Sequence, residues 1–83
     1  MAEIKIYTLT GCPFCERAKK LLTSKGAKFT EIKVDKDEDW DKMVKLTGKE
    51  TAPQIFINDT YVGGCDDLMA LDKSKKLDKL LSS

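Results

Sequence analysis

An 83-residue chain with 41% hydrophobic and 35% charged residues has a globular balance, far from the signature of disorder, and at this size it is one small domain near the lower limit for a single core. Fifteen Lys and Arg against fourteen Asp and Glu leave a formal charge of +1, which offers no argument for nucleic acid, a membrane surface or a strongly acidic partner. Histidine is absent, which removes His-ligated metals and every His-based acid, base or nucleophile relay. No apolar run approaches the roughly 18 residues that span a bilayer, and "MAEIKIYT" alternates with charge too soon for a signal peptide. Residues 1–83 are therefore expected to form a single cytoplasmic domain, with no nucleic acid and no membrane among its partners.

In "EIKIYT", Ile4 and Ile6 alternate with Lys5 and Tyr7, the period of a strand. Pro13 then opens a helix, because its missing N–H would be unpaired in the first turn anyway. Cys15, Ala18 and Leu22, with Leu21 beside them, make the apolar stripe of that helix, and Gly26 stops it. "KFTEIKV" is a second strand with Ile32 and Val34 on one face; a helix between two strands makes a βαβ unit with parallel strands. A second helix follows in "DKDEDWDKMVKLTG", acids first and lysines later as the helix dipole prefers, with Trp40, Met43, Val44 and Thr47 on one face and Gly48 as the stop.

Gln54 to Ile57 and Thr60 to Val62 are short β-rich runs joined through Asn58 and Asp59, a hairpin signal. After Gly63 and Gly64, two acids precede an apolar pattern as at a helix start, and "SKKLDKLLSS" adds a last amphipathic turn or two, so the final helix is expected to be split. The order β-α-β-α-β-β-α fits an α/β fold: a four-stranded mixed sheet with helices on both faces, burying Ile4, Ile6, Ile32, Val34, Ile55 and Ile57. Ligands of open α/β sheets bind beyond the carboxyl ends of strands, which directs attention to the loop from the first strand to Cys12.

Cys12 and Cys15 form a CxxC pair at a helix start, with Cys15 one turn inside. Backbone N–H groups and the dipole at a helix N-terminus favour an anion, so Cys12 is expected to be the thiolate and Cys15 the more buried partner of higher pKa. Three cysteines are too few, and odd in number, for a secreted disulfide framework. Half of a zinc site would need four ligands and only Cys65 is left to add; two inert core cysteines are the other bland reading. Placement as well as spacing favours redox chemistry.

"CPFC", "TAPQIFI" and "GGCDDL", in this order and at these separations, resemble the dithiol glutaredoxins of bacteria, near the small glutaredoxin-3-like group, and the likeness covers nearly the whole chain. The resemblance implies a thioredoxin-like fold with strand order 2-1-3-4. It implies a thiol–disulfide oxidoreductase that uses glutathione as co-substrate, needs no metal, and acts as a monomer on glutathionylated proteins and protein disulfides. Cys12 would be the nucleophile and Cys15 the resolving cysteine. Phe14, Thr51, Ala52, Pro53, Gly64, Cys65, Asp66 and Asp67 would surround glutathione. Pro53 matches the family's cis-proline, Ala52 would pair with the cysteinyl backbone, and the N–H groups after Gly64 would hold the γ-glutamyl carboxylate while an aspartate pairs its ammonium. Cys65 reads as a neighbour of the site rather than a catalyst.

The chain departs from the family in places. Phe14 stands where tyrosine is usual and Ala52 where valine is usual, while Leu9 and Thr10 occupy the stretch that often carries a lysine for a glutathione carboxylate. Lys49 is the expected substitute, ahead of Lys45. Two other functions are compatible with a CxxC: a thioredoxin-like electron carrier fed by a flavoprotein reductase, and a dimeric [2Fe–2S] carrier, against which Pro13 argues because cluster-binding relatives mostly have a small residue there.

Overall fold

The computed structural model describes residues 2–82. The alternation around Ile4 and Ile6 becomes β1 (Ile4–Thr8), and the chain continues through α1 (Pro13–Ser24), β2 (Thr30–Lys33), α2 (Asp37–Thr47), β3 (Gln54–Ile57), β4 (Thr60–Gly63), α3 (Cys65–Lys73) and α4 (Lys76–Leu81). The sheet order is β2-β1-β3-β4, with β1 and β2 parallel and the other pairs antiparallel. This is the expected order and mixture of directions. The break between α3 and α4 falls at Lys75, which takes a left-handed φ of 63° and cannot continue α3.

Local chemistry explains the turns. Asn58 and Asp59 both have positive φ, 51° and 65°, the conformation of a two-residue hairpin loop whose twist matches the strands it joins. The hairpin tip is pinned to the start of β1 by Asn58 N–H donating to the Glu3 carbonyl at 2.7 Å and Glu3 N–H donating to Asn58 Oδ1 at 2.8 Å. In β4 the pairing runs from Phe56↔Tyr61 to Ile55↔Gly63, two residues against one, so a bulge bends the strand as it enters α3. α2 ends at Gly48, whose N–H donates to the Val44 carbonyl at 2.7 Å from a left-handed φ of 73°.

Strand pleating sorts the side chains into two layers. Ile4, Ile6, Ile55 and Ile57 point to one side and pack with Ala18 and Leu22 of α1, Leu68 of α3 and Leu77 of α4, each 2% exposed or less. At about 25 cal/mol per Å² of apolar surface removed from water, this layer is the main source of folding free energy. Lys25, beside the end of α1, clips the layer shut through ion pairs to Asp72 at 2.8 Å and Asp78 at 3.1 Å. Register places Tyr7, Ile32, Phe56 and Tyr61 on the other side, where residues of α2 (Asp39, Lys42 and Leu46) border a groove shared with Tyr7, Ile32 and Val34.

One core expectation needs correction. Val34 is buried, as are the four isoleucines of β1 and β3, but Ile32 is only half-buried. Its parallel pairing sets it opposite Tyr7 on the α2 side of an edge strand. Glu31, opposite Ile6, takes the α1 side of β2 at the sheet edge, where it stays exposed, accepts from the Thr8 hydroxyl at 2.7 Å and pairs with Lys19 at 3.0 Å. Of the α2 face, Met43 is buried and Trp40, Val44 and Thr47 are half-buried. Among the described residues no helix is long and apolar enough to cross a membrane.

Candidate active site

Cys12 is the N-cap of α1, with an extended backbone (φ −97°, ψ 108°) and Pro13 in the first turn behind it. Its carbonyl accepts the first helical bond, from Glu16 N–H at 3.1 Å, and its sulfur accepts from Cys15 N–H at 3.2 Å. A helix start leaves N–H groups without partners; here one of them is aimed at a sulfur, a contact that a thiolate strengthens. The loop that delivers Cys12 is anchored by Asp35, which accepts from the Thr10 N–H and the Thr10 hydroxyl, both at 2.9 Å. Those bonds from Thr10, the backbone one foremost, hold the Asp35 carboxyl below its ordinary value.

The second thiol sits in a different environment. Cys15 is 1% exposed. Burial first, then the hydrogen bond with the Cys12 sulfur, push its pKa up to about 12 against the downward pull of the Leu9 N–H, with the Cys12 charge adding a smaller upward and the Lys19 charge a smaller downward influence. The expected asymmetry of Cys15 is therefore present, and Leu9 meets the site through its backbone, at the resolving position.

A groove of about 490 Å³ opens beside the pair. Phe14 walls it from α1, half exposed and carrying the Arg17 guanidinium 5.7 Å from its ring centre. Lys49, Thr51, Ala52 and Pro53 form the opposite wall, and Gly64, Cys65, Asp66 and Asp67 close the end at α3. The Ala52–Pro53 bond is cis. Cys12 reaches this groove through Ala52, whose carbonyl lies 3.9 Å from Sγ and accepts from the S–H. Leu9 and Lys45 are not among the lining residues, whereas Lys49 is.

At α3 the first turn is arranged for an acceptor from outside. No described side chain caps it; instead Asp67 turns back to accept from Gly64 N–H at 3.0 Å. Gly63 is required there: φ is 117°, and a Cβ would collide with the Asp67 carboxylate. Cys65 is buried at 6% exposure, and that burial, with the Asp66 charge second, pushes its thiol up.

Every residue expected at the site other than Cys12 and Cys15 lines this one groove; Cys12 meets it at Ala52, and Cys15 is buried behind Cys12. Sequence reasoning missed Gln54 and Tyr61, which also line it. They read only as strand residues; the available signal was a glutamine at the start of an otherwise apolar strand, a polar group that burial obliges to find partners.

Comparison with known proteins agrees with this geometry. The family model described as Glutaredoxin matches residues 4–62. Glutaredoxin 3 of Escherichia coli is 50% identical over 82 residues, 98% of this chain and 99% of that protein. The solution structure of a glutaredoxin from Brucella melitensis superposes with a TM-score of 0.87 at 51% identity, covering 98% of this chain and 89% of that one. The crystal structure of a buckwheat glutaredoxin–glutathione complex gives a TM-score of 0.88 at 31% identity over 95% and 76% of the two chains. Similarity of this extent, in sequence and in fold, makes the chain a member of the glutaredoxin family of thiol–disulfide oxidoreductases.

Proposed function

We propose that the protein is a glutathione-dependent thiol–disulfide oxidoreductase that reduces glutathione mixed disulfides through Cys12 and protein disulfides through Cys12 and Cys15. The observation that carries this reading is the groove that runs from Phe14 and Ala52 to the start of α3, with the Cys12 sulfur against the Ala52 carbonyl at its side. Its dimensions suit a tripeptide, and a buckwheat relative of the same fold forms a complex with glutathione.

With a glutathionylated protein, the Cys12 thiolate attacks the glutathionyl sulfur. A Cys12–glutathione disulfide forms, the old S–S bond breaks, and the protein thiolate leaves and takes a proton from water. A second glutathione thiolate attacks the glutathionyl sulfur, giving glutathione disulfide and the Cys12 thiolate. The Cys15 N–H that faces Sγ donates to the sulfur when Cys12 is the leaving group. Losing the S–H also frees the Ala52 carbonyl, leaving that backbone to pair with the cysteinyl backbone of glutathione.

The γ-glutamyl carboxylate is assigned to the uncapped N–H groups at the start of α3, its ammonium to Asp66 and Asp67, and the glycyl carboxylate to Lys49. Phe14 and Thr51 flank the tripeptide beside Pro53 and Cys65. With a protein disulfide, the Cys12 thiolate attacks one sulfur and expels the first protein thiolate; Cys15 then attacks the Cys12 sulfur of the mixed disulfide and expels the second, and two glutathiones reduce the Cys12–Cys15 bond to give glutathione disulfide and both thiols. Once Cys12 is in a disulfide, the charge on its sulfur no longer opposes ionisation of Cys15, while the Leu9 N–H and the Lys19 charge still favour it. Burial, the largest of the influences that raise the Cys15 pKa, stays in place, so this relief is partial.

Turnover of a glutathionylated peptide with glutathione, in wild type, Cys12→Ser and Cys15→Ser, tests the reading. Activity retained by Cys15→Ser and abolished in Cys12→Ser supports it. Turnover sustained by a flavoprotein reductase but not by glutathione overturns it.

A further inference from the structure

Gln54 begins β3 and is 1% exposed, yet its side chain is polar at both ends. A buried amide must place each end on a partner or forfeit hydrogen bonds it had in water. Nε2 donates one proton to the Thr51 carbonyl at 2.8 Å and the other to Thr51 Oγ1 at 2.9 Å. Oε1 accepts from the Tyr61 hydroxyl at 2.5 Å. All of the donor capacity of the amide is used, and the phenol fixes which way it points.

Tyr61 is itself held. Its ring lies 5.2 Å from the Phe56 ring, which in turn meets Tyr7 at 6.0 Å edge-on, so the phenol rides on the rigid β3–β4 hairpin. The ring is 39% exposed and lines the groove, while its hydroxyl turns inward to the amide. A surface aromatic whose polar tip is committed to a buried side chain acts on whatever that side chain holds.

We propose that Tyr61 and Gln54 are positioning residues for the glutathionyl group: the relay Tyr61–Gln54–Thr51 sets the Thr51–Ala52 backbone in the shape that receives an extended peptide. The relay ties the Thr51 carbonyl back into the protein, so it does not compete with Ala52 for the substrate backbone. It also places a donated proton on the Thr51 hydroxyl, which leaves the hydroxyl's own proton available to a ligand acceptor. The relay thus favours disulfides that carry a glutathionyl peptide over disulfides that share only the S–S bond. The inference rests on the glutathione reading above.

The test compares wild type, Tyr61→Phe and Gln54→Met in two assays: steady-state turnover of a glutathionylated peptide with glutathione, and the single-turnover reaction of the reduced protein with a small aromatic disulfide that contains no glutathione. Tyr61→Phe keeps the ring and removes the donor. It is expected to raise KM for the glutathionylated peptide about 3- to 10-fold, the loss of one hydrogen bond, with kcat little changed, and to lower the preference for the glutathionylated substrate by the same factor. Gln54→Met, which removes both bonds to Thr51, is expected to do at least as much. Unchanged KM in Tyr61→Phe, or an equal loss on both substrates, overturns the proposal.

Amide chemical shifts of Thr51 and Ala52 in wild type and Tyr61→Phe give a reading that does not depend on turnover: displaced shifts support the relay and unmoved shifts overturn it. Should Gln54→Met fail to fold, Tyr61→Phe decides alone. If the wild type shows no saturable dependence on a glutathionylated substrate, it is the glutathione reading that fails, and the amide shifts still decide whether the relay exists.

Discussion

On the side of the sheet that faces α1, α3 and α4, Ile4, Ile6, Ile55 and Ile57 are exposed by 2% or less and meet aliphatic helix residues. On the side beneath α2, Tyr7, Ile32 and Phe56 are half-buried and Tyr61 is 39% exposed, with Gln54 the buried polar group among them. A domain of this size cannot bury both faces completely. One face is closed to hold the fold, and the other keeps aromatic and polar surface that the groove uses. The cysteines obey the same division. Cys15, on the buried stripe of α1 with Ala18 and Leu22, is 1% exposed, while Cys12 stays partly open at the helix start.

The largest expected effect tests the division directly. Ile6→Ala should cost about 2–5 kcal/mol, the loss of buried methylenes plus the cavity they leave. Tyr7→Ala, one residue along on the half-open face, should cost less than half of that, because a ring still partly in water forfeits only the area it had buried. Urea unfolding of the two variants measures both; equal costs would abolish the contrast between the faces.

An intermediate effect concerns Cys15. Its folded pKa is raised from an ordinary value of 9.0 to about 12, so below pH 9 the thiol is neutral in both states and its contribution to stability is complete. As pH rises from 9.0 toward about 12, the unfolded chain loses this proton while the folded protein keeps it, and stability falls across that window. The urea midpoint should drop in this range more steeply for wild type than for Cys15→Ala; parallel curves would show that the buried thiol carries no such linkage. The smallest effect is at the groove rim. Lys49→Ala should raise KM for a glutathionylated peptide about 2- to 5-fold, as expected of an ion pair open to solvent, and an unchanged KM would remove Lys49 from the site.

Much of this was legible in the sequence, because the signals are local. Period-two alternation marked β1, Pro13 marked the start of α1, Asn58–Asp59 marked the hairpin, and a CxxC at a helix start distinguished two thiols before any coordinates. The glutaredoxin-like motifs placed the groove-lining residues of three separate segments, and the structure brings those segments to one cavity. The reading failed where a side chain's fate depends on a distant strand. Ile32 is half-buried rather than in the core because parallel pairing with β1 sets it opposite Tyr7, on the α2 side of β2. Tyr61 and Gln54 went unnoticed because a bulged hairpin is what brings the phenol to the amide.

The sequence by itself determined the element order and the cysteine asymmetry, since both follow from backbone preferences within a few residues of chain, and its resemblance to the glutaredoxins pointed to the cis bond before Pro53. Tertiary structure alone decided which face each strand residue occupies and that Asp35 anchors the loop leading to Cys12. Those are pairings between groups that must first be carried together by the packing of the whole sheet, and no local preference specifies them.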